Sequence, residues 1–287
     1  MTGLLNRLRF AQVNSSVARR ALSLYFREGR YYTIRFGPLK GLRLYYDRSV
    51  DYHAVLGLWD LEGFWMVRTA LERLGFLNQP VDIADVGANI GYVSLWLSRI
   101  APHATVHAFE PAPEVARLLR KNISGNNAMN ITPLDIACSD REGEIQFYVA
   151  PKHHCSSLVQ SWASSGSEPA SLIVARTNTL DNLFAGSSQR RLALIKMDIE
   201  GGGVFALPGC NQTVERFRPI FWIESHTPDE DRAISNLLVA HDYRAYRQQT
   251  HNWVTNIHTT HPDPEGVWGS LLAVPKERYP DVEAAFA

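Results

Sequence analysis

Apolar positions change their spacing along the chain, and each change marks an element. Residues 60–76 place Leu61, Phe64, Trp65, Val67, Leu71 and Leu74 at helical intervals that stop near Gly75, which predicts a helix. Short apolar runs then alternate with helical spacing: strand 81–86, helix 91–100, strand 104–109, helix 113–125, strand 131–137 and a β-rich stretch at 144–149. Beyond a polar loop at 152–168, strands are predicted near 171–177, 192–198, 219–224, 243–248 and 269–274, with a helix over 229–241. This alternation specifies an α/β fold with a mostly parallel sheet covered by helices on both faces.

Upstream, Tyr31-Tyr32-Thr33-Ile34-Arg35-Phe36 and Leu42-Arg43-Leu44-Tyr45-Tyr46 flank Gly37-Pro38-Leu39-Lys40-Gly41, two β-prone runs around a turn that predict a hairpin. Residues 1–30 mix Leu4, Leu5, Leu8, Val17, Leu22 and Phe26 with Arg7, Arg9, Arg19, Arg20 and Arg27 in a basic, partly amphipathic helical pattern. Such a helix packs on its own domain, on a homodimer mate, or peripherally on anionic lipid; Asn14-Ser15-Ser16 interrupts its apolar face. The chain is expected to divide into an N-terminal helical segment and hairpin cap, 1–75, and a main domain, 76–287.

Charge narrows the partners. Lys plus Arg and Asp plus Glu are both 29, so the chain lacks the net positive field that holds nucleic acid through its phosphates. Its three cysteines, Cys138, Cys155 and Cys210, are few, odd in number and widely spaced, which suits neither a disulfide framework nor a zinc site and points to a reducing cytoplasm. No run approaches the roughly 20 apolar residues of a membrane span, and no export leader is expected.

The turn after strand 81–86 reads Asp85-Val86-Gly87-Ala88-Asn89-Ile90-Gly91. Gly87 and Gly91 permit a tight turn, and the helix start offers free N–H groups to an anionic ligand end. A dinucleotide loop, G-x-G-x-x-G, needs a second glycine where pyrophosphate meets the backbone, yet Asn89 stands there. Asn tolerates the left-handed conformation and adds an amide, which suits a ligand that lacks pyrophosphate and ends in an amino acid. S-adenosylmethionine is such a ligand. Asp85 is expected to accept from its ammonium, directly or through water, and Glu110, ending the next strand, from both ribose hydroxyls. At the third strand Asp135 can accept from the adenine amino group and Ile136 can wall the ring, unless Asp135 merely holds a loop.

Taken in order, several blocks resemble the FkbM-type methyltransferase family: Asp85-Val86-Gly87-Ala88-Asn89-Ile90-Gly91-Tyr92, Ala108-Phe109-Glu110-Pro111, Asn122-Ile123, Thr179-Leu180-Asp181, Ile195-Lys196-Met197-Asp198-Ile199-Glu200-Gly201 and Ile223-Glu224. The resemblance covers roughly 57–275. It implies a class I methyltransferase, Rossmann-like fold with a seven-stranded sheet whose last strand is antiparallel, and it adds Tyr92, Pro111 and Asp198 to the cofactor contacts. One departure is plain. This family commonly continues the Asp-x-Glu-Gly block with a second acid, whereas Gly202 and Gly203 follow here, either widening the pocket or loosening the loop.

Ligands of parallel α/β sheets bind outside the carboxyl ends of the strands, so Asp198, Glu200, Glu224 and His226 should face one reacting group. Methyl transfer to a hydroxyl is mostly positioning plus removal of one proton. His226 is the expected proton acceptor, with Asp198 and Glu200 beside it, against the plainer reading of an exposed loop histidine. Lys196, on a buried strand, is expected in an internal ion pair. A divalent cation among the same acids would polarise the hydroxyl, but no metal ligand is assigned. The His153-His154 pair beside Cys155 is a weak metal candidate, because adjacent histidines do not share a face. Trp59 and Glu62 precede the main domain as cap residues that can reach the methyl site, although core packing accounts for most aromatic residues there. The expectation is an O-methyltransferase for a small-molecule, sugar or glycan acceptor. A hydride-transferring NAD enzyme and a catalytically silent scaffold are its rivals.

Overall fold

The computed structural model describes residues 16–150, 170–186, 190–254 and 269–286. The first fifteen residues of the basic helical pattern and the His153-His154-Cys155 cluster lie outside the described residues.

Three N-terminal pieces precede the main sheet: helix α1 (Ser16–Tyr25), the antiparallel hairpin β1 (Arg30–Thr33) and β2 (Arg43–Tyr46), and helices α2 (Tyr52–Leu56) and α3 (Leu61–Arg73). The sheet alternates with helices through β3 (Asp82–Val86), α4 (Tyr92–Ile100), β4 (Thr105–Phe109), α5 (Pro113–Gly125) and β5 (Ile131–Leu134). It continues with β9 (Leu192–Met197), α6 (Gly203–Ala206), α7 (Asn211–Phe217), β10 (Ile220–Ser225), α8 (Pro228–Ala240), β11 (Tyr243–Arg247), β12 (Asn252–Val254), β13 (Gly269–Pro275) and α9 (Tyr279–Glu283). Between them β6 (Ala137–Cys138), β7 (Gly143–Val149) and β8 (Ser171–Asn178) form a separate three-stranded sheet.

Strand order in the main sheet is β12-β11-β13-β10-β9-β3-β4-β5. Strands β5, β4, β3, β9 and β10 run parallel, and β13 is antiparallel to both neighbours, β10 and β11. This is the class I methyltransferase arrangement, with the expected antiparallel last strand. It has one addition, because the short β12 pairs with β11 and makes eight strands where seven were expected.

Parallel strands buried on both faces read as continuous apolar runs. β3 and β9 are buried at every position, including Asp82, Asp85 and Lys196. Side chains alternate between faces. Ile83, Leu194, Trp222 and Leu272 join the core beneath α3, α4, α5 and the hairpin, while Ala84, Ile195, Phe221, Ile223 and Leu271 join the one beneath α7 and α8. The N-terminal pieces thus pack on the same face as α4.

Two local readings change. The run predicted over 131–137 breaks: β5 ends at Leu134 on the sheet edge, where Pro133 is tolerated, and β6 leaves for the small sheet. The strands predicted near 144–149 and 171–177 pair with each other rather than entering the main sheet. Helices α2, α6, α7 and α9 were not predicted, since four to seven residues are too few to establish a helical period.

Candidate active site

The glycine turn between β3 and α4 is held from three sides. The Gly87 and Ala88 N–H groups donate to Phe109 O at 3.1 and 2.9 Å, joining the turn to β4. Gly87 has φ of 77°, and a Cβ there would overlap the carbonyl oxygen of Asp198. Gly91, at φ 85°, leads into α4, and a Cβ on it would lie 2.5 Å from Leu119 Cδ1. Asn122 of α5 donates to Ile90 O and accepts the Tyr45 N–H, so it links the turn to the hairpin.

Asn89 adopts the left-handed conformation anticipated for it, with φ of 52°, and its Oδ1 accepts the Ile90 N–H. Its own N–H donates to Glu110 Oε2 at 3.0 Å, while Glu110 Oε1 accepts the Ala112 N–H at 2.9 Å. Glu110 is buried, and burial pushes its pKa up to about 7 against these two hydrogen bonds. A carboxylate has about four acceptor positions, so two remain for a ligand.

One cavity runs from this turn to the ends of β9 and β10. Gly87, Asn89, Tyr92, Glu110, Pro111 and Ile136 line it, together with Asp198, Glu200, Glu224, Lys196, Trp59 and Asp60. Three of its wall residues, Asp60, Asn89 and Glu200, are non-glycine residues at positive φ (36°, 52° and 51°), a strain that collects at working sites.

Five sequence candidates lie elsewhere. Asp85 is wholly buried behind the turn, where it accepts from Ser94 Oγ at 2.5 Å and pairs with Lys196 Nζ at 3.4 Å. Strand alternation explains this: Val86 faces the cavity and Asp85 does not. Gly91 is likewise off the wall. Asp135 is half exposed and bound to Arg120 at 2.8 Å, because the chain turns outward after β5 and leaves only Ile136 inside. His226 is buried behind the carboxylates and is not on the wall either. Trp59 does line the cavity, whereas Glu62 points to His251 at 3.3 Å.

The acid cluster is drawn in around His226. Its Nε2 lies 3.5 Å from Asp198 Oδ1, 3.6 Å from Glu200 Oε2 and 3.9 Å from Glu224 Oε1. Its Nδ1 lies 3.4 Å from Glu230 Oε2. Burial acts to lower the His226 pKa, but Glu230 and the charges of Asp198, Glu200 and Glu224 overcome it and raise the ring to about 10. Glu200 and Glu224 are pushed up to about 8, first by burial and then by the charge of Asp198. The imidazole is thus held toward its protonated form at neutral pH, and the Glu200 and Glu224 carboxyls are shifted toward working pH. Lys196 forms the internal pair expected of it, reaching Asp85, Asp198 (3.8 Å) and Gly87 O (3.1 Å). Asp198, Glu224 and His226 each offer an atom within 4.8 Å of the others, close enough to share a small cation.

Two acids escaped the sequence reading. Asp60 caps α3 through the Gly63 N–H, accepts from Gln248 Nε2 at 3.0 Å, and is raised to about 6 by burial. Its signal was the Asp-x-x-Gly start of α3, since a Cβ on Gly63 would overlap its carboxylate. Glu230 reads in sequence as an ordinary helix cap three residues after Thr227.

The strand order and a cavity at the carboxyl ends of β4, β9 and β10 define a class I methyltransferase-type protein. The Methyltransferase FkbM domain matches residues 85–248, and the chain belongs to that family. Among characterised relatives, 2-O-methyltransferase NoeI of Sinorhizobium fredii is 26% identical over 156 residues, 48% of this chain and 61% of its own length. Methyltransferase sdnD of Sordaria araneosa is 25% identical, over 45% of this chain and 60% of its own length. AMB antimetabolite synthetase AmbE of Pseudomonas aeruginosa is 37% identical over 86 residues, 30% of this chain and 4% of that protein. The chain thus spans less than two thirds of each of these relatives. A solved methyltransferase FkbM from Methylobacillus flagellatus KT superposes with a TM-score of 0.44 at 17% identity, covering 78% of this chain and 55% of that one.

Proposed function

We propose that this chain transfers the methyl group of S-adenosylmethionine to a hydroxyl of a small-molecule, sugar or glycan acceptor. One observation carries the reading: one cavity has Glu110 after β4, the Asp198 and Glu200 carboxyls after β9, and the Glu224 carboxyl near the end of β10. Three strand spacings separate β4 from β10, about 14 Å at about 4.8 Å each, room for a nucleoside at one end and an acceptor at the other. Membership of a methyltransferase family weighs against the dinucleotide alternative, as does Asn89. The 2-O-methyltransferase among the relatives supports a hydroxyl acceptor.

The residues present fit the cofactor. Glu110 has acceptor positions left for two ribose hydroxyls, Gly87 lets the turn close against the Asp198 backbone at the edge of the cavity, and Phe109 and Ile136 supply apolar wall for a flat ring. Bound there, the cofactor supplies an electrophilic sulfonium methyl. Asp85, shielded from the cavity, acts on the turn through Ser94 and Lys196 rather than as a direct ligand.

At the acceptor end Glu200 takes the hydroxyl proton. It lines the cavity, and its pKa of about 8 lies near working pH, as a general base requires. His226, already protonated, keeps Asp198, Glu200 and Glu224 within 3.9 Å of one ring nitrogen and offsets their charge. With Lys196 it supplies the positive charge the cluster needs, so we assign no metal.

Calorimetric titration with S-adenosylmethionine and with NAD tests the cofactor, and mass spectrometry of co-purified ligand followed by labelled-methyl transfer tests the acceptor. Binding of NAD without S-adenosylmethionine overturns the reading. Cofactor binding with no transfer to any hydroxyl or amine of a broad panel favours the silent-scaffold alternative.

A further inference from the structure

In a regular capping box the acid at the third helical position returns to the N–H of the capping residue. Thr227 caps α8 as that pattern requires, its Oγ1 accepting the Glu230 N–H at 3.0 Å. The Glu230 carboxylate goes elsewhere. Oε2 accepts the His226 N–H at 2.8 Å, and Oε1 crosses to the next loop to accept the Gly203 N–H, also at 2.8 Å. Glu230 is fully buried.

Its two partners lie just beyond the two strands, β9 and β10, whose carboxyl ends build the acid cluster. His226 follows β10, and Gly203 closes the turn that begins with Asp198 and Glu200 after β9. A single side chain therefore ties the histidine to the loop carrying its carboxylates. Gly203 is what admits it: a Cβ at 203 would lie 2.6 Å from Glu230 Oε1 and 2.9 Å from its Cγ. Such a contact is too short for any side chain, so Gly203 and Glu230 form a matched pair. Gly203 does not open the pocket; a carboxylate from α8 fills the space beside it.

We propose that Glu230 is a positioning residue, which Gly203 alone admits and which holds the loop carrying Asp198 and Glu200 in register with His226. This rests on the cluster being the methyl-transfer site. A substitution that enlarges residue 203 must expel Glu230, and an acid restored from position 203 is expected to replace it.

The test follows the His226 ring by NMR on histidine-labelled full-length protein, with thermal melting as the fold check and S-adenosylmethionine calorimetry alongside. The groups facing that ring are Asp198, Glu200, Glu224 and Glu230. Glu230→Gln, which keeps the shape, should lower the His226 titration midpoint by at least about one pH unit, the scale of a lost neighbouring charge. Cofactor affinity should stay within about twofold, a loss well under the 1.4 kcal/mol that marks tenfold. Gly203→Glu combined with Glu230→Ala should return the midpoint toward the wild-type value, whereas Glu230→Ala alone should not. A folded Glu230→Gln protein with an unchanged midpoint overturns the proposal, and so does a double variant that behaves like Glu230→Ala alone. Absence of S-adenosylmethionine binding by the wild type would instead overturn the methyltransferase reading, because the His226 titration needs no cofactor.

Discussion

Gly87 lies so close to the carbonyl oxygen of Asp198 that a Cβ on it would overlap that atom, and the cofactor turn meets the loop of the acid cluster there. A side chain at residue 87 would have to separate them. Gly87→Ala is therefore expected to weaken S-adenosylmethionine binding at least tenfold and to lower stability by about 2–3 kcal/mol, the range of a strained, overpacked backbone site. Gly41→Ala is the control. Gly41 also has positive φ, at 92°, but nothing lies within 4 Å of a Cβ there, so it should cost only the conformational part, about 1–2 kcal/mol. Denaturant unfolding of both variants, with calorimetry of the first, measures the difference; equal costs would mean the Asp198 contact is immaterial.

Glu110 makes cofactor binding depend on pH. Its carboxyl is raised to about 7 by burial, and only the ionised form accepts from both ribose hydroxyls. Affinity should climb as pH rises toward about 7, by up to about tenfold per unit, and level off above. Stability of the cofactor-free protein runs the other way. The folded pKa exceeds the ordinary glutamate value, so the stabilising contribution is full below pH about 4.5 and is lost as pH rises through about 7. Calorimetry and melting curves between pH 5 and 8 read both slopes, and Glu110→Gln should flatten each.

Glu200→Gln removes the proposed proton acceptor, and kcat should fall by about 10²–10⁴ while cofactor affinity is little changed. Wild-type turnover should rise as pH passes about 8, where Glu200 gives up its proton. His226→Ala should also lower turnover with little effect on cofactor affinity, since the ring acts through the carboxylates. Steady-state kinetics on the identified acceptor settles this, and a fully active Glu200→Gln enzyme sends the proton elsewhere.

Lys196→Met should destabilise the fold by about 3–5 kcal/mol, because it leaves Asp85 buried without its cation. Chemical denaturation reads the loss. The double variant Lys196→Met, Asp85→Asn should recover part of it, and additive losses would mean that the pair is not coupled.

Dialysis against EDTA should leave turnover unchanged, since His226 and Lys196 already supply positive charge to the cluster. Activity lost to the chelator and regained with a divalent cation would instead place an ion between Asp198, Glu224 and His226.

Much of this was legible in one dimension. The turn, the left-handed Asn89 and the strand-ending Glu110 could be read because each depends on residues within a few positions of one another or on one strand spacing. Asp85 shows the limit. Its place before the glycine suggested a ligand contact, but alternation along β3 aims it away from the cavity and at Lys196, a partner 111 positions further along the chain. His226 shows the same limit, since Asp198, Glu200 and Glu224 line the cavity while the ring within 3.9 Å of them does not. Asp60 and Glu230 were hidden by adequate local explanations as helix caps.

By itself the sequence determined the α/β class, the strand carrying the turn, and the acids at the ends of β4, β9 and β10, because period and turn chemistry are local properties of the backbone. Only the tertiary structure decided which neighbouring side chains meet the cavity and in which direction the Glu110, Glu200 and Glu224 carboxyls are shifted. Facing and pKa depend on burial and on charges brought in by distant segments, as when Glu230 of α8 enters the space that Gly203 leaves beside His226.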